Sequence, residues 1–347
     1  MTRRCQHQLA ALALALALTP AARAQPVPRQ AAHHDMPASR AGLAQVECVR
    51  GGTVASSSSV RETATNTTTA RTGTTLPLAV GQALTEGARI RVPEDGYLRL
   101  RLADGSVVSV LAQSDVELRR LRRRGSTSGP ETVIQMHRGK VESDVRPGDG
   151  RRVFEIHAPG AVASVRGTRF DVAIGDGGQV STAVTEGTVA VQAIGPDGRE
   201  RGRTMVPSGQ GVVVDATGQL GEQRALPPAP DLSALSADHE QASGLVLDLG
   251  PLSAAATRYA VRITRDDATE QVVRESHGTG SLARFAALAQ GDYTVGVRVV
   301  DAEGLAGPES RRLIRLQTGS MQAQGDSMKK PNIFGNPDRA DLLLARE

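Results

Sequence analysis

Arginine is the residue type in this sequence that is best placed to do chemistry. The segment 162–174, VASVRGTRFDVAI, carries Arg166 and Arg169 on either side of a Gly-Thr pair. A second group, RRLRRR, contains five arginines within six positions: Arg119, Arg120, Arg122, Arg123 and Arg124. A guanidinium is a planar fork of hydrogen-bond donors that binds a carboxylate or a phosphate through two bonds. Both groups are therefore candidate binding sites for an acidic partner.

The RGTR segment also has a purely structural interpretation. Its apolar residues occupy odd positions from 161 to 165 and even positions from 170 to 174. One extra residue in a strand produces such a phase change, which is typical of a β-bulge. Gly167 can adopt the unusual backbone dihedrals that a bulge needs. The functional alternative is that Arg166 and Arg169 project from the bulge and bind an acidic partner or ligand.

The RRLRRR group likewise allows two interpretations. Its arginines either form the solvated tip of a hairpin or bind phosphate-rich envelope surfaces. Lipid headgroups, lipopolysaccharide and anionic wall polymers are surfaces of that kind. The sequence alone leaves both interpretations open.

Residue patterns typical of catalysis or metal binding are missing from the sequence. It contains no Gly-x-Ser-x-Gly, phosphate-loop or His-Glu-x-x-His motif. His33, His34 and Asp35 are adjacent but lie in a stretch without periodicity, which favours a solvated tail. Asp176 in GDGGQ is a single turn aspartate, a weak indicator of calcium binding. We therefore predict no catalytic residue, no cofactor and no metal site.

The first residues predict export. Residues 1–24 combine the basic MTRR, the apolar LAALALALAL and the small-residue site ARA before Gln25, as a signal peptide does. The apolar run is shorter than the 20 or so residues of a membrane span, and Pro20 follows it. We expect cleavage near Ala24 and a mature chain without a transmembrane span. The protein is then periplasmic or otherwise exported to the cell envelope.

Charge and aromatic content disfavour nucleic acid as a partner. Removing the three arginines of the signal peptide lowers the formal net charge from +4 to +1. Aromatic residues make up 2% of the chain and tryptophan is absent, so base-stacking platforms are scarce. Cys48 is then the single cysteine of the mature chain, and we interpret it as a small buried apolar residue.

The rest of the sequence predicts an all-β protein. Residues 25–40 form a flexible lead-in, and residues 41–220 read as strand after strand with period-two alternation, as in YLRLRLADGSVVSVLA. Glycines mark the turns and corners, among them Gly105, Gly139, Gly167 and Gly187. The repeated short strands predict stacked β-layers, either a sandwich or a short solenoid-like roll.

The C-terminal part predicts a second, smaller β-domain. Residues 221–240 contain the Pro-rich ALPPAPDL and are expected to be a stiff linker. Residues 241–316 contain at least five strand-like segments and are expected to form a small β-sandwich. Residues 317–347 are polar and are expected to be a disordered tail.

Three segments carry a family resemblance. LRLADGS at 100–106, VRGTRF at 165–170 and TEGTVAV at 185–191 resemble the FecR domain in order and spacing. Iron-uptake regulators of that family join a cytoplasmic anti-sigma segment and a membrane helix to a periplasmic FecR domain, which receives a signal from an outer-membrane receptor. The sequence has no counterpart of the first two parts, so the resemblance implies an exported FecR-domain protein. The second domain is similar to fibronectin type III or related immunoglobulin-like modules, which place a corner tyrosine where Tyr293 lies.

These observations together predict a non-enzymatic exported protein. The expected activity is protein–protein recognition, signalling or scaffolding in the periplasm or envelope, with sheet edges and loops as the contact surface. The expected partner is an envelope protein, with outer-membrane proteins among the candidates. The alternative is a module that binds anionic glycans or wall polymers through the arginine cluster. An enzyme of unrecognised type is the least supported class.

Overall fold

The computed structural model describes residues 44–56, 75–121, 131–147, 153–240, 244–250, 258–265, 272–286, 288–317 and 320–322. Every element of regular secondary structure in these residues is a β-strand, which confirms the all-β prediction. The predicted signal peptide and lead-in lie outside the described residues, and so does the tail beyond residue 322. The described residues all belong to one compact unit.

The described chain forms an N-terminal half with strands β1 to β17 and a C-terminal half with strands β18 to β25. The strands of the N-terminal half are β1 Ala44–Arg50, β2 Val54–Ser56, β3 Thr75–Pro77, β4 Ala83–Leu84, β5 Arg89–Val92, β6 Tyr97–Leu102, β7 Val107–Val110, β8 Ser114–Leu121, β9 Glu131–Asp144, β10 Val153–Ala158, β11 Ala161–Val165, β12 Arg169–Ile174, β13 Val180–Glu186, β14 Thr188–Ile194, β15 Glu200–Pro207, β16 Gln210–Val214 and β17 Arg224–Ala225. Those of the C-terminal half are β18 Ser236–Glu240, β19 Gly244–Asp248, β20 Arg258–Arg265, β21 Val272–Gly278, β22 Leu282–Phe285, β23 Gly291–Val300, β24 Ser310–Gln317 and β25 Ser320–Gln322.

The N-terminal half consists of two sheets that share one strand. Sheet 1 has the order β4-β1-β6-β7-β9-β12-β13-β16-β17. Sheet 2 has the order β3-β2-β5-β8-β9-β10-β11-β14-β15. Alternate residues of both sheets, such as Leu98, Leu100, Ile134 and Val191, are buried in one common apolar core. Burial of these side chains is the main force that holds the two sheets face to face.

Strand β9 passes from one sheet into the other at Gly139. Residues 132–138 pair with β8 in sheet 2, whereas residues 139–144 pair with β12 in sheet 1. Gly139 has a φ of +90°, and a Cβ atom there would lie 2.5 Å from the Cα of Ser114. Only glycine fits this conformation and this approach, so the residue fixes the point at which the chain changes sheet.

The phase change around Gly167 marks a corner between sheets. The prediction of a bulge within one strand is wrong, because β11 pairs in sheet 2 and β12 pairs in sheet 1. Gly167 lies in the connection with a φ of +111°, and a Cβ atom there would lie 2.6 Å from the Cα of Pro147. A register irregularity does occur beside the corner, but its extra residue, Thr185, belongs to β13. A crossing between sheets changes the inward phase just as a bulge does, so the sequence pattern could not separate them.

The C-terminal half is built from a three-stranded and a five-stranded sheet. Sheet 3 has the order β21-β20-β23-β24-β25, and sheet 4 has the order β18-β19-β22. Val295 and Val297 of sheet 3 pack with Leu245 and Leu247 of sheet 4 in one core. Near the start of β23, the Tyr293 hydroxyl donates a hydrogen bond of 2.9 Å to the carbonyl oxygen of Ala289.

The segment predicted as a linker is tied to both halves. Within residues 221–240, β17 pairs with β16 of sheet 1 and β18 pairs with β19 of sheet 4. Between them, the Ser310 hydroxyl donates to the carbonyl oxygen of Pro230 at 2.6 Å, and Arg312 Nη1 donates to that of Leu232 at 2.5 Å. The Pro-rich residues therefore lie against the C-terminal half, and little free length separates the two halves.

Candidate functional site: a charged interface between the two halves

The structure describes only part of the predicted RRLRRR group. Arg122, Arg123 and Arg124 lie outside the described residues. Arg119 and Arg120 are exposed near the end of β8, where Arg119 Nη1 donates to Gln135 Oε1 at 3.2 Å. Among the described residues, no contact joins the RRLRRR group to the RGTR corner.

The two arginines of the corner differ in their surroundings. Arg166 is exposed and makes no ion pair with another described residue. Arg169 is already paired, since its Nη2 lies 2.8 Å from Asp144 Oδ2 and its Nη1 lies 2.7 Å from Glu186 Oε1. These side chains are about half exposed, and their hydrogen bonds hold the guanidinium across β9, β12 and β13. Arg169 therefore joins three strands of sheet 1, whereas Arg166 is exposed beside the corner.

A larger set of charges lies where sheet 3 covers the outer face of sheet 1. Three side chains come from sheet 1 and three from β20, β23 and the residue that precedes β24. We call this set the interface cluster: Lys140, Glu142, Asp171, Arg262, Arg298 and Glu309. Side-chain exposures within it range from 8% at Asp171 to 18% at Lys140. Sequence analysis did not predict any of these residues as a site.

Arg298 is the centre of the interface cluster. Its Nη1 lies 2.7 Å from Asp171 Oδ2 and 3.5 Å from Glu142 Oε1, and its Nε lies 3.6 Å from Glu309 Oε2. Arg262 donates from Nη2 to Glu142 Oε2 at 3.0 Å. Each of these guanidinium groups of sheet 3 thus contacts carboxylates of sheet 1, and ion pairs join the two halves directly.

Charge balance makes this burial tolerable. Lys140 Nζ lies 3.3 Å from Asp171 Oδ2 and 3.6 Å from Glu142 Oε1, which brings the cluster to three cations and three carboxylates. A buried charge without a partner costs several kcal/mol, whereas a paired and hydrogen-bonded charge is close to neutral in energy. The buried charges of each half are therefore neutralised only while the two halves are docked.

The pKa values in the cluster follow from the same contacts. Burial by itself would raise the pKa of Glu142, but attraction by Arg262, Arg298 and Lys140 outweighs it and holds the pKa well below its usual range. Burial would also lower the pKa of Arg298, and attraction by Glu142 and Asp171 raises it instead. Glu142 and Arg298 are thus held in their charged forms near neutral pH.

Apolar contacts flank the charges. Cys48 and Tyr97 of sheet 1 pack against Val272 of β21, and the Arg262 guanidinium lies 5.5 Å from the centre of the Tyr97 ring. Burial raises the pKa of the Cys48 thiol. The prediction that Cys48 is a buried apolar residue is confirmed, because the side chain is buried and unpaired. The contact of Cys48 with Val272 across the interface could not be predicted from the sequence.

A second apolar contact lies beyond the charges. Ala183 of β13 packs with Leu226 and Leu305, and the Ser181 hydroxyl donates to the carbonyl oxygen of Gly304 at 3.3 Å. Leu305 lies in the connection between β23 and β24, so this contact also joins the halves. Both faces of β13 are consequently buried, and a run of five buried residues replaces the alternation of an exposed strand.

The polar interface opens into a cleft of about 480 Å³. Its wall includes the carboxylates and guanidiniums of the cluster, together with the half-exposed Asp144, Arg169 and Glu186 at the rim. Among the described residues, no group of three or more His, Cys, Asp or Glu side chains is arranged to hold a metal ion. The charged groups of the cleft form ion pairs with one another across the two halves, although, among the described residues, Nε of Arg262 and Nε of Arg298 are buried without a hydrogen-bond partner. The ion pairs support docking of the two halves.

The signals for this interface are present in the sequence but ambiguous. Arg262 and Arg298 each lie between apolar residues of a strand, in YAVRITR and YTVGVRVV. Asp171 occupies the equivalent position between Phe170 and Val172. A mid-strand charge is usually read as solvent-facing, and only the matching charges on distant strands indicate that two sheets meet.

Comparison with known proteins locates the family resemblance. Residues 88–190 match the FecR protein family. This FecR segment runs from just before β5 into β14, and includes both Gly139 and the Gly167 corner. The resemblance to FecR drawn from the sequence is therefore confirmed for these residues.

Among solved structures, this chain has distant likenesses. Two crystal structures of a proposed anti-sigma factor from Parabacteroides distasonis are similar, each with a TM-score of 0.33. The first is 19% identical and covers 40% of this chain and 59% of its own; the second is 18% identical and covers 41% and 68%. The match thus spans less than two thirds of the first structure's length. No protein of curated function matches the chain.

Within the described parts of the chain, no helix has the length and apolarity that a bilayer crossing requires.

Proposed function

We propose that this protein is an exported, non-enzymatic recognition component of the cell envelope that acts in signalling or scaffolding. The observation that carries the proposal is the interface cluster, which joins the FecR segment to the C-terminal half. Its buried charges neutralise one another and fasten two β-modules into one body, instead of presenting an unpaired acid, base or nucleophile. Such a body presents sheet edges and loops to a protein partner at fixed relative positions.

The C-terminal half supports a further part of the proposal, a fibronectin type III-like or related immunoglobulin-like module. A sheet ordered β18-β19-β22 packs on a sheet in which β21-β20-β23-β24 are neighbours. The hydrogen bond from the Tyr293 hydroxyl to Ala289 has the form of the tyrosine corner of such sandwiches. Modules of this architecture serve as spacers and recognition units on many exported proteins.

Cross-linking in the native host cell tests the proposed function. The full chain carries a C-terminal tag, and cross-linked partners are purified from the envelope fraction and identified by mass spectrometry. An unrelated tagged exported β-sandwich serves as control. We expect a mature N-terminus at Gln25 and one envelope protein enriched over the control. A precursor that stays in the cytoplasm, or the absence of any enriched protein, would refute the proposal.

A second candidate function is the binding of anionic glycans or wall polymers through the arginine cluster. It is favoured by the exposure of Arg119 and Arg120 on β8, where guanidinium groups are accessible to phosphate or carboxylate. Sedimentation with purified wall material at low and high salt tests it. Replacement of the five arginines of RRLRRR by glutamine should abolish salt-sensitive sedimentation, and unchanged sedimentation would exclude this function.

A further inference from the structure

The two sheets of the N-terminal half end in strands of very different length. Sheet 1 ends, among the described residues, in β4 and β17, which have two residues each. Sheet 2 ends in β3 with three residues and in β15 with eight. A free edge strand presents unpaired N–H and C=O groups, and most proteins keep such edges short. Strand β15 is the long exception, so it is the edge on which another strand could add.

The backbone of β15 shows which groups face outward. The Met205 carbonyl accepts a hydrogen bond of 3.0 Å from the Gln223 side chain, so this carbonyl points away from β14. In an antiparallel pair the N–H and C=O of one residue point to the same side, and the side alternates along the strand. Arg203 therefore also directs its N–H and C=O outward. Pro207 has the same phase and has no N–H to lose, as is usual for proline in edge strands.

The side chains of β15 define the partner's chemistry. The exposed residues are Glu200, Arg201, Arg203, Met205 and Pro207, and Met205 is 57% exposed, whereas Val206 is buried in the core. Arg201 pairs with Asp197 at 3.1 Å and Arg203 with Glu200 at 3.6 Å. Exposed pairs of this kind contribute little and exchange readily. The strand thus carries two exposed arginines against one exposed glutamate, a net positive charge of one, and has Met205 as an apolar anchor.

Charge selects between two kinds of incoming strand. A second copy of this chain, added antiparallel through the same edge, would set arginines opposite arginines, and like charges in cross-strand positions destabilise a sheet. A strand with acidic side chains at alternate positions would instead meet Arg201 and Arg203. An apolar residue on the same strand would cover Met205.

We propose that β15 is the docking edge of this protein and that its partner contributes an extended acidic segment, which adds as the next strand of sheet 2. The proposal rests on the proposed function in recognition and specifies the surface that performs it. Main-chain hydrogen bonds supply affinity in this mode, and alternate side chains supply specificity.

A defined peptide tests the proposal. A fluorescent ten-residue peptide of alternating valine and glutamate is titrated against the full protein and followed by anisotropy, with a valine–lysine peptide for comparison. We expect saturable binding of the acidic peptide only. Hydrogen exchange should show new protection of the Arg203 and Met205 amides. Failure of the acidic peptide to bind, or equal binding of the lysine peptide, would overturn the proposal.

Two variants separate the edge from general electrostatics. Arg203→Pro removes an outward N–H without breaking a bond to β14, and the double change Arg201→Glu with Arg203→Glu reverses the edge charge. Each should weaken binding of the acidic peptide by at least roughly tenfold. The matched control, Arg91→Glu with Arg315→Glu, changes the same number of exposed, acid-paired arginines on β5 and β24 and should leave affinity unchanged. Circular dichroism checks that each variant is folded, and equal affinity of all variants would refute the assignment.

Three further outcomes are distinguishable. Sedimentation of a wild-type dimer that Arg203→Pro converts to a monomer would show that the edge pairs with a second copy, and would overturn the acidic partner. If an envelope partner cross-links equally to wild type and to Arg203→Pro, the docking edge is wrong while the proposed function stands. If no partner cross-links at all, the proposed function itself fails.

Discussion

Replacing Arg298 with methionine removes one cation from the interface cluster and keeps most of the side-chain length. The guanidinium contacts carboxylates at 2.7 Å (Asp171), 3.5 Å (Glu142) and 3.6 Å (Glu309). Without it, three buried carboxylates share the two remaining cations of the cluster. One negative charge is then buried in excess, and the cost falls on the docked state alone.

The magnitude follows from the burial of the cluster. Removing one member of a buried ion pair costs about 3–5 kcal/mol, because the partner charge stays desolvated. Arg169→Met is the matched control, since Arg169 also contacts two carboxylates but its side chain is 48% exposed. Loss of an exposed pair costs about 0–1 kcal/mol. The difference between the two variants is therefore at least about 2 kcal/mol, or roughly thirtyfold in an equilibrium constant.

Two measurements distinguish undocking from unfolding. Urea titration followed by far-ultraviolet circular dichroism gives the free energy of unfolding in this tryptophan-free chain. Alkylation of Cys48, quantified by mass spectrometry of its peptide, reports separation of β21 from sheet 1, because Val272 covers the thiol. We expect Arg298→Met to expose Cys48 to iodoacetamide at urea concentrations that leave the β-structure intact.

Salt provides an independent check on the same variants. Screening weakens interactions between exposed charges and has little effect on buried ones. The difference between wild type and Arg298→Met should therefore persist at high salt, whereas the small effect of Arg169→Met should disappear. An Arg298→Met protein within about 1 kcal/mol of wild type, with Cys48 still protected, would refute the account of the interface.

Three other perturbations test the fold at single positions. Tyr293→Phe removes the hydroxyl that donates to Ala289 and should lower the free energy of unfolding by about 1 kcal/mol in urea titrations; an unchanged midpoint would contradict a role for this bond. Gly167→Ala should cost about 3 kcal/mol, because the residue has a φ of +111° and lies in a crowded corner, whereas Gly198→Ala, with a φ of +76° and open space around it, should cost about 1 kcal/mol. Equal losses in the two alanine variants would argue against crowding at the corner. Acid titration should show that the contribution of Glu142 is complete above about pH 4.3 and is lost as the pH falls towards its lowered folded pKa. Glu142→Gln should be less stable at pH 7 and should lack this acid-side loss; a loss that begins near pH 6 would contradict the lowered pKa.

The strands and turns of this fold could be predicted from local pattern. Period-two alternation identifies a segment such as YLRLRL, whose Leu98, Leu100 and Leu102 all reach the core. Gly105 and Gly187 adopt φ values of +83° and +81° at tight turns, in keeping with the role of glycine in such positions. Both signals depend only on neighbours along the chain, so one sequence is enough to detect them.

The interface cluster could not be predicted, for a physical reason. A strand with one apolar and one polar face has the same pattern whether the polar face meets water or meets complementary charges. Glu142 and Arg298 lie 156 positions apart in the sequence, and their pairing at 3.5 Å depends on how sheets 1 and 3 stack. The corner at Gly167 was misread for a related reason, since phase reports the inward side and carries no information about which sheet a strand joins.

Strand β9 joins the two layers of the N-terminal half mechanically. Where every strand of a sandwich belongs to a single sheet, packed side chains and loops hold the layers together. Here a single run of backbone continues from one layer into the other at Gly139, and ladder bonds fasten it on both sides of that residue. Shear between the layers would have to break the hydrogen bonds of one of those ladders. A force on either layer is therefore transmitted to the other through covalent bonds.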